Sequence, residues 1–358
     1  MKYSSKLIQK KEQIPVEIRC VFVKICQVDT VNEVYYADIF LQSKWREPLL
    51  DKSLDSQVDL KNLWNPKLFV ENLYKENQNT TSLEVYFPDG KDGAYVIEKR
   101  RINGTFHETL ELKQFPFDCQ DLSITVSSEC SIEEVDLLES KTDLSTLNVS
   151  SEVESQEWNI HSHVEVSTMT VVTNCNIGPQ MQRIIVFTCR ASRRFRYFLI
   201  NHILISVMLC LLTFCSFAVV PTNTHGRLQL CMIILLTTVT FKVAVSQNLP
   251  KIPYLTYLDK AILGNIFVIM CLCLWHALTS IFFLNQNLQK SKIENIRKIE
   301  CFIIPILLTS YIMAIFVFGL AIYFDAGKRR RLMKLKDLEF GKKLKSCKKE
   351  DYSELHSQ

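Results

Sequence analysis

The segment Phe115-Pro116-Phe117-Asp118 decides the fold of this chain, because it lies in a half of the sequence that alternates like β-strands. Pro116 has no N–H to donate to a strand ladder, so the segment is predicted to be a loop between strands. From about residue 197, long apolar runs replace the alternating pattern. The chain is therefore predicted to join a β-rich soluble domain to a membrane domain.

Short strands separated by polar turns occupy the residues before 195. Apolar and polar residues alternate over 16–24 and 34–42, and the polar link 29–33 is typical of a hairpin turn. Strands at this spacing predict an all-β, immunoglobulin-like sandwich. Further strands are predicted at residues 82–88, 94–102, 105–112, 121–127, 157–167 and 180–190.

Four apolar runs make up the second half, at about 197–220, 228–249, 260–284 and 302–324. Each exceeds the ~20 residues that cross a ~30 Å hydrocarbon core. Short links between them predict an antiparallel four-helix transmembrane bundle. We therefore expect three parts, an extracellular β-domain at 1–195, a transmembrane domain at 196–324 and a basic amphipathic tail at 325–358.

The second run carries a polar stripe. At 100° per residue, six residues of this run fall on one narrow face of a helix. This face has a glutamine at each end and Ile233 and Leu236 between them. A water-facing helix with a hydrophobic constriction is what a dewetting gate needs, and a buried helix with self-bonded threonines is the alternative. The predicted pore-lining residues are Gln229, Ile233, Leu236, Thr240, Ala244 and Gln247.

Composition excludes several other classes. Net charge is +4 and the tail from Asp325 alone carries +5, so the basic excess is local and a nucleic-acid partner is not expected. The six cysteines of the soluble half form no C-x-x-C pair, so no metal site is predicted. The chain has no G-x-S-x-G, phosphate loop or H-E-x-x-H motif, so neither an enzyme nor a cofactor is expected. Four spans without inverted repeats disfavour a transporter.

Several stretches resemble the pentameric ligand-gated ion channels, the Cys-loop receptor superfamily, and they follow that family's order. The resemblance runs from Val16 to about Phe324 and implies a pentameric ring with a pore lined by the second run. The family's loop disulfide would need cysteines at Glu108 and Leu122, so this disulfide is expected to be absent. The matching stretches are Asp29–Trp45, Trp64-Asn65-Pro66, Phe115–Gln120, Arg193–Phe198, Pro221–Pro250 and Leu249–Thr256.

The resemblance also implies roles for individual residues. Coupling between the domains is expected at their junction, where an acid–arginine pair can take two discrete arrangements. The pore mouth is expected at Gly226 and Arg227, and with no carboxylate there or at Gln247, a strong cation preference is not supported. Cation versus anion selectivity stays open. The predicted coupling residues are Asp29, Glu33, Phe115, Pro116, Phe117, Asp118, Arg193 and Pro250.

The agonist is not determined by the sequence. The positions that match the family's aromatic box are Glu71 and Glu129, so a cation–π site is not expected. Protons, a metal cation or a polyamine would suit acidic residues, and plain surface charge explains them equally well. The expected partners are a small-molecule or ionic agonist, permeant inorganic ions, the lipid bilayer and other subunits of a homo- or hetero-pentamer.

The leading hypothesis is a ligand-gated channel subunit in the plasma membrane, multi-pass, with its N-terminal domain outside. A non-conducting accessory subunit or tethered binding protein is the alternative. The basic tail is predicted to lie on a membrane surface, and basic flanks favour the cytoplasmic side whereas the resemblance places the tail outside. Residues 1–19 show no apolar run typical of a signal peptide. An absent leader, an internal membrane or a divergent tail remain alternatives.

Overall fold

The computed structural model describes residues 13–51, 63–87, 93–148, 157–175, 178–247, 249–284 and 290–355. Within these ranges the chain forms strands up to Arg193 and helices from Arg196 onward. The strands are β1 (Ile14–Asp29), β2 (Val34–Arg46), β3 (Leu68–Val70), β4 (Leu73–Tyr86), β5 (Tyr95–His107), β6 (Cys119–Ser128), β7 (Val135–Glu139), β8 (Thr146–Leu147), β9 (Trp158–Cys175) and β10 (Gly178–Arg193).

Two sheets pack face to face and enclose the core of the first domain. The larger sheet has the order β4-β5-β2-β1-β7, with β8 also pairing with β1, and the smaller sheet has the order β3-β6-β10-β9. Alternation along β1 buries Val16, Ile18, Cys20 and Phe22 completely, as a strand with one face on a core requires. The predicted β-sandwich is confirmed.

β5 is one strand where the sequence predicts two. The prediction places strands at 94–102 and 105–112, with a break at Gly104. The structure runs the strand through Gly104, where a Cβ would lie 2.6 Å from the carbonyl oxygen of Lys75 on β4. Glycine at this position allows close backbone approach between neighbouring strands rather than a turn, so the predicted break is wrong.

Among the described residues, four helices are long and apolar enough to cross a membrane. A side-chain network ties three of them together, because Asn265 donates to Ser206 at 3.0 Å and accepts from Tyr311 at 3.0 Å. We call the helices the first span (Arg196–Ala218, with a π-helical segment at Leu199–Leu204), the second span (Thr224–Ser246), the third span (Tyr257–Leu284) and the C-terminal helix (Lys290–Leu355).

The C-terminal helix continues past the membrane half and packs along β9. Arg330 donates to the carbonyl oxygen of Arg193 at 2.8 Å, and Lys336 forms an ion pair with Glu165. The sequence places this segment on a membrane surface, whereas the structure gives its charged residues protein partners on β9 and β10. The far end of the helix therefore lies on the same side of the membrane as the β-sandwich.

Candidate functional site

A buried ion pair lies where the two domains meet. The Arg193 guanidinium donates to Asp118 through Nε at 2.9 Å and Nη2 at 3.3 Å. Gln120 donates to the same carboxylate at 2.6 Å, which satisfies a further lone pair. Arg193 and Asp118 are only 4% and 1% exposed, so each charge depends on the other in a site that water does not reach.

Aromatic rings surround the same guanidinium. Its central carbon lies 4.1 Å from the ring centroid of Trp158, 4.8 Å from that of Phe115 and 5.7 Å from that of Phe198. These distances fall within the range of cation–π attraction. Trp158 begins β9, Phe115 lies in the loop between β5 and β6 (residues 108–118, called the junction loop), and Phe198 lies at the start of the first span. One arginine therefore contacts three elements.

The junction loop is fixed by packing and by hydrogen bonds. Phe115 packs edge-on against Phe198 with ring centroids 4.8 Å apart, and Phe117 packs against Phe195 at 5.0 Å. Pro116 is buried between them. These ring contacts hold the loop against the start of the first span.

A carboxylate lies at the base of the loop, where the resemblance expects a cysteine. Glu108 accepts from the backbone N–H of Ser123 at 2.8 Å and also from its hydroxyl. Burial raises the pKa of the Glu108 carboxyl above its usual range, although the bonds from Ser123 oppose that shift. The bond joins the two stretches of chain that the family's disulfide would join.

The junction loop is connected to the membrane domain by hydrogen bonds and by an apolar cluster. The N–H of Leu258, at the start of the third span, donates to the carbonyl of Phe115 at 3.3 Å, and the N–H of Leu112 donates to the hydroxyl of Tyr254 at 3.1 Å. The apolar cluster reaches the top of the second span through Val245. Its buried members are Leu112, Phe115, Val245, Leu258 and Ile262.

A cavity of about 320 Å³ lies against this junction. The β1–β2 turn, β10, the junction loop and the first three spans all contribute to its wall. The cavity therefore borders the buried ion pair and elements of both domains. Six of its lining residues are Thr30, Phe115, Arg193, Phe198, His202 and Leu249.

Three predicted coupling residues stand apart from the ion pair. Asp29 caps its own turn, accepting from the N–H groups of Val31 and Asn32 and from the Asn32 side chain, and the Asn32 bond holds the pKa of Asp29 below its usual range. Glu33 adopts a positive φ of 55° in the same turn. Pro250 is half-buried, next to the clustered Leu249. The structure gathers Phe115, Pro116, Phe117, Asp118 and Arg193 and leaves the other three around them.

The predicted pore stripe is exposed in the isolated subunit. Leu236 and Ile233 are 66% and 55% exposed. The opposite face of the second span is buried against the rest of the subunit through Cys231, Ile234 and Thr238. Thus the helix presents an unpartnered face of the composition expected for a pore. The exposed stripe residues are Gln229, Ile233, Leu236, Thr240, Ala244 and Gln247.

The side chain of Arg227, a predicted pore-mouth residue, is buried inside the subunit. Its side chain is 1% exposed and forms a bidentate ion pair with Glu300 on the C-terminal helix. It also donates to the carbonyl of Val219 at 2.7 Å and 2.8 Å. Arg227 lies on the buried side of the second span, and all of these acceptors lie inside the subunit. The guanidinium therefore points into the subunit. Gly226 lies in the first turn of the second span, and its N–H donates to the Asn223 side chain at 3.0 Å.

The two predicted ligand residues do not converge within one subunit. The strand register sets Glu71 beside Thr125 and Glu129 beside Lys67, four residues apart along the β3–β6 pair. At ~3.3 Å per residue this separates them by about 13 Å. Glu129 pairs with Lys67 at 3.5 Å, and both side chains are about two-thirds exposed.

Sequence reasoning missed a cluster of ionisable groups between β9 and the C-terminal helix. His161, His163 and Asp337 offer ligand atoms that all lie within 4.8 Å of one another, although no metal site was predicted. The signal was present as a His-x-His pair in a predicted strand. Its partner could not be identified, since Asp337 follows far along the chain in a tail expected to lie on lipid.

Comparison with known proteins places the chain in a family. A profile described as the neurotransmitter-gated ion-channel ligand binding domain matches residues 2–195, more than half of the chain. The chain belongs to the neurotransmitter-gated ion-channel family. The match spans the β-sandwich, and four helices that are long and apolar enough to cross a membrane follow it in the described residues. The chain is therefore a multi-pass plasma-membrane protein with an extracellular N-terminal domain.

Three relatives share 25% identity with this chain. One is the gamma-aminobutyric acid receptor subunit beta-4 of Gallus gallus, where the match covers 76% of this chain and 57% of the relative. Another is the gamma-aminobutyric acid receptor subunit beta of Caenorhabditis elegans, where the match covers 69% of this chain and 45% of the relative. The third is the pH-sensitive chloride channel 2 of Drosophila melanogaster, where the match covers 69% of this chain and 47% of the relative. The matched part of this chain corresponds to about half the length of each relative.

Proposed function

We propose that this chain is a subunit of a ligand-gated, anion-conducting pentameric channel. Agonist binding to the β-sandwich shifts the junction loop, and the second spans of five subunits open the pore between them. The observation that carries the proposal is the unpartnered stripe on the second span, which has a hydrophobic middle at Ile233 and Leu236.

The preference for anions rests on the charges along the pore helix. Thr224–Ser246 contains no aspartate or glutamate, so a ring of these helices offers no carboxylate to a permeating cation. The positive ends of the helix dipoles converge at the N-terminal mouth, which favours an anion there. One relative is named as a chloride channel, which supports the same choice.

The path from agonist to gate runs through the buried ion pair. Arg193 ends β10, directly before the first span, and its partner Asp118 belongs to the loop that bonds the third span. A displacement of β10 therefore moves the guanidinium against Asp118 and three aromatic rings together. Discrete repacking of such a pair transmits a small shift as a switch between two states.

Chloride replacement tests the choice of ion. The measurement is whole-cell voltage clamp of cells expressing the chain with Leu236→Ser, a change in the predicted gate. A tenfold reduction of external chloride should move the reversal potential by about 59 mV, the factor for a singly charged ion. Replacing sodium by a large organic cation should leave it unchanged. A reversal potential that follows sodium instead would overturn the proposal of anion conduction, but it would still support a pore lined by the second span.

A non-conducting accessory subunit is the second candidate, favoured by the separation of Glu71 from Glu129 within one subunit. Coexpression distinguishes the two, since an accessory subunit reaches the surface and stays silent until a partner subunit is supplied. A current from this chain alone would exclude that role.

A further inference from the structure

A bulge on β9 holds the imidazoles of His161 and His163. Ala191 of β10 pairs with Ile160, and Cys189 pairs with Val164, so three residues of β9 oppose the single Arg190. Bulges re-aim side chains and occur next to functional sites. The three residues are His161, Ser162 and His163, and the strand carries them at the edge of its sheet.

All three residues of the bulge bind one carboxylate. Nδ1 of His161 lies 2.7 Å from Oδ2 of Asp337, and Nδ1 of His163 lies 2.6 Å from Oδ1. The hydroxyl of Ser162 donates to Oδ1 at 3.3 Å, and the N–H of His163 donates to it at 3.2 Å. The bulge and the C-terminal helix are thus joined through Asp337.

Both imidazoles are buried with one nitrogen unused. His161 and His163 are 4% and 3% exposed, and among the described residues Nε2 of each has no hydrogen-bond partner. A neutral imidazole that carries its proton on Nε2 has a lone pair on Nδ1, and Nδ1 is the nitrogen of each ring that faces the Asp337 carboxylate. Imidazole nitrogens with a carboxylate are the ligands that zinc and similar ions prefer.

Charge and distance both suit a divalent cation. Lys336 pairs with Glu165, and Arg190 pairs with both Glu165 and Asp121, so two carboxylates balance these two neighbouring positive charges. Metal–ligand bonds of about 2.0–2.2 Å hold tetrahedral ligand atoms about 3.4 Å apart. The cluster spans 4.8 Å at most, so side-chain shifts of about 1 Å would bring its three ligand atoms to coordinating distance and leave the fourth position to water.

We propose that His161, His163 and Asp337 bind a divalent transition-metal ion, and that this ion fastens the C-terminal helix to the β-sandwich. The helix also carries Glu300, the partner of Arg227 at the start of the second span. The ion would therefore brace one continuous element that touches both the sandwich and the pore helix. Binding does not depend on the channel proposal, because it needs no current.

Zinc binding to the purified full-length pentamer in detergent is the direct test. We expect one Zn²⁺ per subunit after dialysis, measured by mass spectrometry of the metal, and a higher thermal midpoint with zinc than with a chelator. His161→Gln, His163→Gln and Asp337→Asn should each weaken binding by at least about tenfold. Two matched controls should bind as the wild type does: Lys336→Gln removes a neighbouring contact of the same helix, and His107→Gln removes an exposed histidine.

Cobalt gives a second measurement that needs no variant. Co²⁺ added to the metal-free wild type should produce visible absorption bands of a site with nitrogen and oxygen ligands, and Zn²⁺ should abolish them. The proposal is overturned if the wild type takes up no zinc, if the three site variants bind as tightly as the wild type, or if the controls lose binding equally.

Discussion

Leu236→Ser is expected to give a standing current without any agonist. In the proposed ring, five copies of Leu236 would face one another across the pore, because Leu236 lies in the middle of the predicted stripe and is 66% exposed in the subunit. An apolar constriction excludes water and closes the pore to ions, and a ring of serine hydroxyls would hold water there. A shift of about 1.4 kcal/mol in the closed–open equilibrium raises unliganded current about tenfold.

Leu278→Ser is the matched control. Leu278 lies on the third span and is 55% exposed, so the chemical change and the exposure are similar but the residue is off the pore stripe. Both variants carry a tag, and surface pentamers are counted before the voltage clamp. A current from Leu236→Ser but not from Leu278→Ser supports Leu236 as the gate. If both variants are silent at equal surface density, Leu236 is not the gate.

Asp118→Ala is expected to abolish assembly or surface delivery. The change leaves the Arg193 guanidinium buried without its carboxylate, which costs about 3–5 kcal/mol per subunit. Gln120 would also lose its acceptor. The thermal midpoint of the pentamer and its surface yield are the measurements. Lys67→Gln, which breaks the exposed pair with Glu129, should shift stability by no more than about 1 kcal/mol.

A double variant separates stability from switching. Asp118→Leu with Arg193→Met removes both charges, and buried pairs replaced by apolar residues often keep their stability. We expect pentamers to return to the surface while coupling between the domains stays lost, since no ion pair remains to repack. If Asp118→Ala assembles with the wild-type thermal midpoint, the ion pair is not what holds the junction.

The fold was predictable because its signals are local. Alternation over β1 and β2, the proline in the junction loop and four apolar runs each require only neighbouring residues, and the sandwich and the helices appear where those patterns lie. The break predicted between residues 102 and 105 was wrong, and Gly104 in that interval permits close approach between neighbouring strands.

Side-chain partners from distant parts of the chain were not predictable. Arg227 is a basic residue at the start of a pore helix, and its burial depends on Glu300, 73 residues away. The lysine-rich tail resembles a lipid-binding helix, and its position depends on two histidines and a glutamate of β9. By contrast, the resemblance placed Asp118 and Arg193 together at the domain junction, although it placed Asp29 and Glu33 there as well.

Thiol accessibility on the second span tests most directly whether this helix lines a pore. Thr240 is exposed on the predicted stripe, whereas Thr238 is fully buried on the opposite face, so Thr240→Cys and Thr238→Cys form a matched pair. Each is made in the Leu236→Ser background and exposed to an external methanethiosulfonate reagent. The account predicts that the standing current falls in Thr240→Cys and persists in Thr238→Cys and the parent. Equal block of both cysteines, or no block of Thr240→Cys, would contradict it.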